Sequence, residues 1–281
     1  MIVVQFSDLH IRAGRAPAFK VADSSAALEV AVDHFLNLKQ RPDCFVVSGD
    51  LAELGEAGAY ALVAQALGRL PAPVFVLPGN HDNRAELMAA LGEYCPAEPD
   101  LLPSLCYARD EGLLRLVMID STRPGSHSGH LDGPVARWLE KKLAQGRDRP
   151  TLLFTHHPPF LSGLGLMDEP YENAGEFARI LLDNPQVRLC CGHLHQGLVT
   201  VWGGVPALTA PPLVMDIEMD FSPEGGDTFT VGAPSYLIHH LYKGLVKTHF
   251  GRVPGDYPFS GPYAFSSLNS NESVTLFNYL K

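Results

Sequence analysis

No two cysteines in this chain stand in a CxxC spacing, and their number, five, is odd. Cys44, Cys190 and Cys191 sit inside apolar runs, so they read as buried thiols, not as a zinc site or a disulfide framework. A reducing, cytoplasmic setting is the expectation that follows. No apolar run approaches the ~20 residues that span a bilayer, so no membrane partner is expected. The opening Met1-Ile-Val-Val-Gln-Phe6 lacks a basic stretch and reads as a strand, not as a leader. Basic residues are the minority: Lys and Arg number 21 against 31 Asp and Glu, for a net charge of -10. A nucleic-acid polymer held through its phosphates needs clustered Lys and Arg, so that class of partner is excluded. A small anionic substrate is not, because bound cations can outweigh side-chain charge locally. There is no internal repeat and no clear linker.

What remains is a chain 46% hydrophobic, enough for a large core, in which strand and helix signals alternate. Ile2–Phe6, Cys44–Ser48, Val74–Leu77, Leu113–Ile119, Thr151–Phe154 and Val187–Cys191 are short apolar runs that predict strands. Leu28, Ala31, Phe35 and Leu38 recur at helical spacing behind the N-cap candidates Asp23-Ser24-Ser25. Tyr60, Val63, Leu67 and Leu70 form a second stripe, Gly133-Pro134 opens a helix to about Leu143, and Glu176–Leu182 suggests another. Such alternation predicts an α/β fold with helices covering a buried sheet. After His195 the pattern changes. Leu198–Trp202 and Val205–Leu208 flank Gly203-Gly204, and Tyr236–Tyr242 and Leu245–Phe250 flank Lys243-Gly244, so two hairpins are expected. The chain thus divides into a core, 1–196, and a β-hairpin extension with tail, 197–281, packed on it as a cap or association region.

The chemistry sits in five islands: Asp8-Leu-His10, Gly49-Asp50, Gly79-Asn80-His81-Asp82, His156 and Gly192-His193-Leu-His195. Each follows a predicted strand, and in layered α/β folds ligands gather beyond the carboxyl ends of strands. Asp8 and His10, like His193 and His195, are two residues apart and point the same way if the strand continues. Asp50 brings a carboxylate able to bridge two cations, although an Asp there can also cap the next helix. Asn80 adds a neutral oxygen beside carboxylates, and the same tetrapeptide could serve as a polar turn. His81 stands next to Asn80, placed to donate to a phosphoryl oxygen or a leaving group. Of the pair His156 and His157, the first is the expected ligand and the second packs or hydrogen-bonds. Two cations sharing a carboxylate are a device for attacking phosphate esters.

All five islands in this order resemble the calcineurin-like metallophosphoesterase superfamily, whose signature is D-x-H, G-D, G-N-H-[DE], H and G-H-x-H. The match covers about residues 1–200. Arg41-Pro-Asp-Cys-Phe-Val-Val-Ser-Gly-Asp50, Thr155-His-His-Pro-Pro159 and Cys190-Cys-Gly-His-Leu-His195 look like the bacterial branch of glycerophosphodiesterases and class III cyclic-nucleotide phosphodiesterases. The resemblance implies a two-sheet sandwich flanked by helices. It implies two di- or trivalent ions per chain, drawn from Fe, Mn, Zn or Co. One would be held by Asp8, His10, Asp50 and His195, the other by Asp50, Asn80, His156 and His193. It implies hydrolysis of a small phosphodiester, a glycerophosphodiester or cyclic nucleotide, by metal-bound hydroxide, with Asp50 and His81 catalytic and with Asn80 and His81 touching substrate; His127 joins them as a substrate-binding candidate only from its place in a Gly/Ser loop. A phosphomonoesterase or nucleotide hydrolase on the same site is the alternative, and a non-catalytic scaffold is a third.

Other positions carry further expectations. Glu53 stands where purple acid phosphatases have a ligand Tyr, which argues against that branch. Met215 falls where the resemblance places an active-site His in glycerophosphodiesterases. His127 and His130 lie in a Gly/Ser loop expected near the site mouth. The segment Pro211–Pro234, with Met215, Met219 and Phe221, is either an apolar wall or a surface loop. Trp202, Tyr236, Leu237, Leu241 and Tyr242 suggest a homo-oligomer built through the hairpins, and the resemblance points the same way. Among the islands, only Arg84 and Arg123 stand near ligands.

Overall fold

The computed structural model describes residues 1–268. Two sheets face each other across the main core. The first has the order β13 (Leu245–Arg252), β12 (Ser235–Tyr242), β1 (Ile2–Phe6), β2 (Cys44–Ser48), β3 (Val74–Leu77). The second has the order β4 (Tyr107–Glu111), β5 (Leu114–Ile119), β6 (Thr151–Thr155), β7 (Val187–Cys191), β9 (Val205–Thr209), β8 (Val199–Trp202). Strands β1, β2 and the edge strand β3, and strands β5, β6, β7 and β9, run parallel, as expected for runs buried on both faces.

The period of two is visible in the packing. Leu116, Met118, Leu152 and Phe154 turn into the core shared with the first sheet. Val117, Ile119, Leu153 and Leu189 turn to the opposite face, against α4 (Gly133–Gln145) and α5 (Ala174–Leu182). On the outer face of the first sheet lies α1 (Ser24–Leu36), whose Phe35 ring is 5.3 Å from Phe6 and 5.7 Å from Phe45. Its start is fixed by Asp23, whose side chain accepts from the Ala26 amide. Beside it are α2 (Ala57–Leu67) and the shorter α3 (Arg84–Leu91), capped by Asn83.

The expected α/β sandwich is present, but its C-terminal part is not laid on from outside. β12 pairs antiparallel with β1, Ile2 opposite His240, and β9 pairs parallel with β7. Residues after 196 therefore complete both sheets, so position 197 is not a boundary between structural layers. A third, small sheet, β10 (Met215–Ile217), β11 (Thr228–Val231) and β14 (Ser260–Ala264), ends in the four-residue α6 (Phe265–Leu268). The residues 269–281 of the expected tail lie outside the described residues. Part of the apolar surface expected to join copies is used within the chain. Tyr236, Leu237 and Leu241 are buried and Trp202 packs on Phe177, leaving Tyr242, 48% exposed, as the one outward-facing member of that set. Val199, Val201, Leu245 and Phe250 on the same hairpins stay exposed.

Candidate metal centre

Five loops leave the carboxyl ends of β1, β2, β3, β6 and β7 and close on one another. Their backbones are not extended strand continuations. Asp8, His10, Asp50, His193 and His195 all take positive φ, between 47° and 70°, which non-glycine residues rarely adopt. The expected alternation of Asp8 with His10, and of His193 with His195, therefore does not hold. Convergence comes from left-handed turns held by cross-loop bonds: the Asp8 amide donates to Gly49 O at 3.1 Å and the His10 amide to Asp50 O at 2.9 Å. Gly79 is required for space, since a Cβ there would stand 2.2 Å from Asp50 Oδ1.

Ligand atoms of Asp8, His10, Asp50 and His195 lie within 4.8 Å of one another. On the other side of Asp50, His156 Nε2 is 3.2 Å from its Oδ2 and 3.1 Å from Asn80 Oδ1, and His193 Nδ1 is 3.1 Å from the same Asn80 oxygen. His10 Nε2 approaches Asp50 Oδ2 at 3.7 Å, so one carboxylate oxygen sits between two donor sets. All these residues except Asn80 are buried.

The hydrogen bonds behind the donors decide what fits between them. His10 Nδ1–H donates to Glu53 Oε2 at 2.5 Å and His195 Nδ1–H to Met215 O at 2.6 Å. Both Nε2 atoms then carry lone pairs, yet they face each other at 3.0 Å. His156 donates from Nδ1 to Ser48 O, turning its own lone pair on Asp50 and Asn80. Asp8 Oδ2 is buried with no hydrogen-bond partner. Such a concentration of inward acceptors fits cations. The carboxylates favour positive charge at two of the imidazoles, His10 and His156, whereas burial pushes His193 and His195 down. Burial pulls His10 down, but Glu53, Asp50 and Asp8 raise it to about 9. Burial likewise opposes His156, which Asp50 and Asp8 also raise to about 9. Against its own burial, Asp50 is held well below the usual carboxylate range by His156, His81 and His10. Mixed imidazole and oxygen donors suit first-row transition ions.

His81 stands beside the centre, with its ring 4.9 Å from that of His10. Its Nδ1–H donates to Glu53 O at 3.0 Å, which leaves Nε2 for another partner. His127 sits at the mouth, 4.8 Å ring to ring from His193, paired through Nδ1 with Glu169 Oε1 at 3.1 Å. His130 is turned away: Nδ1–H donates to Ser121 O and Nε2 faces Asp132. Asp82 clamps loops instead of entering the centre, accepting from the amides of Leu51, Ala52 and Gly79 and from Tyr60 Oη.

Three positions had weaker signals in the sequence than their placement warrants. His157 joins His156 and His193 within the same 4.8 Å limit, with Nδ1 on Ser121 Oγ and a buried, unpartnered Nε2. Arg12, two residues after His10, pairs with Glu56. Glu53 orients His10 in the manner of a carboxylate behind a metal-binding histidine. Glu53→Gln is expected to weaken metal affinity ~10–100-fold, measured by competition with a chelator. Unchanged affinity would remove Glu53 from this role. Met215 contributes its carbonyl, not its side chain, which is buried in the core. Met219 and Phe221 are 71% and 70% exposed and form no wall at the centre.

The model of the calcineurin-like phosphoesterase family matches residues 1–197. The probable glycerophosphodiester phosphodiesterase GpdQ of Arcobacter nitrofigilis is 33% identical over 266 residues, covering 92% of this chain and 97% of the relative. The 3',5'-cyclic adenosine monophosphate phosphodiesterase CpdA of Escherichia coli K12 is 29% identical over 241 residues, covering 84% and 85%. TT1561 of Thermus thermophilus shares the fold at 14% identity and TM-score 0.55, over 90% of this chain and 99% of that one. No helix among the described residues is long and apolar enough to cross a membrane. With the signature loops gathered around Asp50 and the family model matched over residues 1–197, the chain belongs to the calcineurin-like phosphoesterase family.

Proposed function

We propose that the protein hydrolyses small phosphodiesters, using two metal ions that share Asp50. The observation that carries this reading is the position of Asp50 Oδ2 between His10 and His156. Asp8, His10, Asp50 and His195 would hold one ion, and Asp50, Asn80, His156 and His193 the other. Bound there, two such ions supply Lewis acidity, drawing charge from the phosphoryl oxygens and making a water acidic enough to attack. The protein's own groups do the rest. Asp50 and the imidazoles fix the donor geometry, and the buried loops keep it from relaxing. His81, anchored through Nδ1–H, acts in its protonated form: it presents Nε2–H to a departing oxygen, gives up that proton and is left as the neutral Nδ1–H imidazole.

Diesters are favoured over monoesters on charge. A monoester carries an extra negative charge, which a selective enzyme meets with a cation beside the metals. Here the neighbouring arginines are engaged: Arg12 with Glu56, Arg84 with Asp120, Arg123 with Glu172. The activities named for the relatives, a glycerophosphodiester phosphodiesterase and a cyclic-nucleotide phosphodiesterase, support the same class. The five buried free thiols support work in a reducing, cytoplasmic setting. The test is a paired assay at one metal and pH. kcat/KM for bis(p-nitrophenyl) phosphate is expected to exceed that for p-nitrophenyl phosphate. The reverse order would favour a phosphomonoesterase on the same centre.

A further inference from the structure

Next to the centre, on the side of His10 and His81, the structure forms a cleft whose other walls are largely apolar, built from Phe19, Leu166, Met167, Ile217 and Phe265. Its aromatic side is continuous with the centre. The His10 ring lies 6.4 Å from Phe19, and Phe19 lies 4.9 Å from Phe265. Behind them Phe229 is 4.6 Å from Phe265 and 5.7 Å from Tyr263. Phe229 is fully buried and Phe19 nearly so, whereas Phe265 is only partly covered. Phe265 is held in place by its amide, which donates to Asp227 O at 2.9 Å. Ile217, Asp227 and Phe265 all lie beyond residue 197, where the family match ends.

We propose that this cleft seats one ester group of the substrate and selects a flat, uncharged aromatic or heteroaromatic one. The proposal rests on the phosphodiesterase reading above. An aromatic group gains here from leaving water and from ring contacts at Phe19 and Phe265. A polyhydroxylated group gains less, because the walls formed by Phe19, Leu166, Met167, Ile217 and Phe265 offer its hydroxyls no hydrogen-bond partner, and of the polar lining His127 is paired with Glu169 and Asp227 accepts from Ser266 Oγ. Hydroxyls placed against the apolar side lose water without finding partners. The acids Glu169 and Asp227 also oppose an ester group that brings further negative charge. The small third sheet and α6 thereby acquire a role: they supply the wall that reads the organic part of the substrate.

The experiment compares metal-loaded wild type, Phe265→Ala and Phe265→Leu on two diesters. Bis(p-nitrophenyl) phosphate carries aromatic ester groups and glycerophosphoethanolamine carries none. The ratio of kcat/KM for the aryl diester to that for the glycerol diester is expected to fall about five- to tenfold in Phe265→Ala, at unchanged metal content. Phe265→Leu, which keeps apolar bulk and loses the flat face, is expected to fall between. In parallel, calorimetry is expected to show phenylphosphonate binding wild type more tightly than methylphosphonate, with that advantage reduced in Phe265→Ala. A ratio unchanged in both variants, or equal binding of the two phosphonates by wild type, overturns the proposal. Failure of wild type to cleave either diester is the different result that overturns the phosphodiesterase reading instead, and the phosphonate comparison still decides the cleft.

Discussion

Asp50→Ala is expected to empty both metal positions and to abolish nearly all activity. Asp50 Oδ2 lies 3.2 Å from His156 Nε2 and 3.7 Å from His10 Nε2, so each donor set loses the same member. The remaining donors are then mostly neutral imidazoles and one Asn, with Asp8 alone to balance cationic charge on that side of the centre. Metal ions at such sites supply several kcal/mol of transition-state stabilisation, so a loss of at least about 10³-fold in kcat/KM is expected. The check is metal content and diester hydrolysis on one preparation. The change also removes an acceptor from the His81 amide, bonded to Asp50 Oδ1 at 3.0 Å, so a melting curve accompanies it. Asp50→Asn, which keeps the shape and one oxygen donor, is expected to fold and still lose metal. A variant that retains both ions with near-normal activity would show that Asp50 is not the bridge.

His81→Ala is expected to behave in the opposite way, keeping metal and losing rate. His81 Nδ1 is committed to the Glu53 carbonyl, and its remaining nitrogen has no place in either assigned donor set. Help with proton transfer at a leaving oxygen is typically worth ~10²–10⁴-fold. The loss should depend on the leaving group. A p-nitrophenolate departs with little need of a proton, whereas an alkoxide needs one. The variant is therefore expected to lose less on bis(p-nitrophenyl) phosphate than on an alkyl diester such as glycerophosphoethanolamine. The competing assignment is geometric: His10, Glu53 and His81 also come within 4.8 Å of one another. Loss of metal from His81→Ala would make His81 a ligand, and equal loss on both substrates would remove it from proton transfer.

Much of the centre was legible because its chemistry is carried by residue type at strand ends. Asp8, His10, Asp50, Asn80, His156, His193 and His195 all follow apolar runs, and the runs became β1, β2, β3, β6 and β7. The way these residues converge was not legible. Positive φ at Asp8, His10, His193 and His195 has no residue-type marker, unlike the same angle at Gly49. It is imposed by bonds between loops distant in sequence. The same limit applies to the sheets. The hairpins after His195 were visible locally, but their membership was not, because it depends on pairings such as Ile2 with His240 and Leu189 with Ala207. β4 was not expected at all: Tyr-Ala-Arg-Asp-Glu carries little apolar signal and becomes a strand by pairing with β5. Glu53 is an ordinary acidic residue until His10 is placed beside it. Phe265 and Phe19 become a wall only when chain segments some 250 residues apart meet.

The central claim is that two ions act on a diester at one shared carboxylate. It is tested most directly by stripping the protein of metal, reloading it stepwise with Mn or Zn, and following bound metal per chain alongside hydrolysis of bis(p-nitrophenyl) phosphate. Activity is expected to stay low through the first equivalent and to reach its plateau at about two. Full activity with a single tightly bound ion per chain would contradict it.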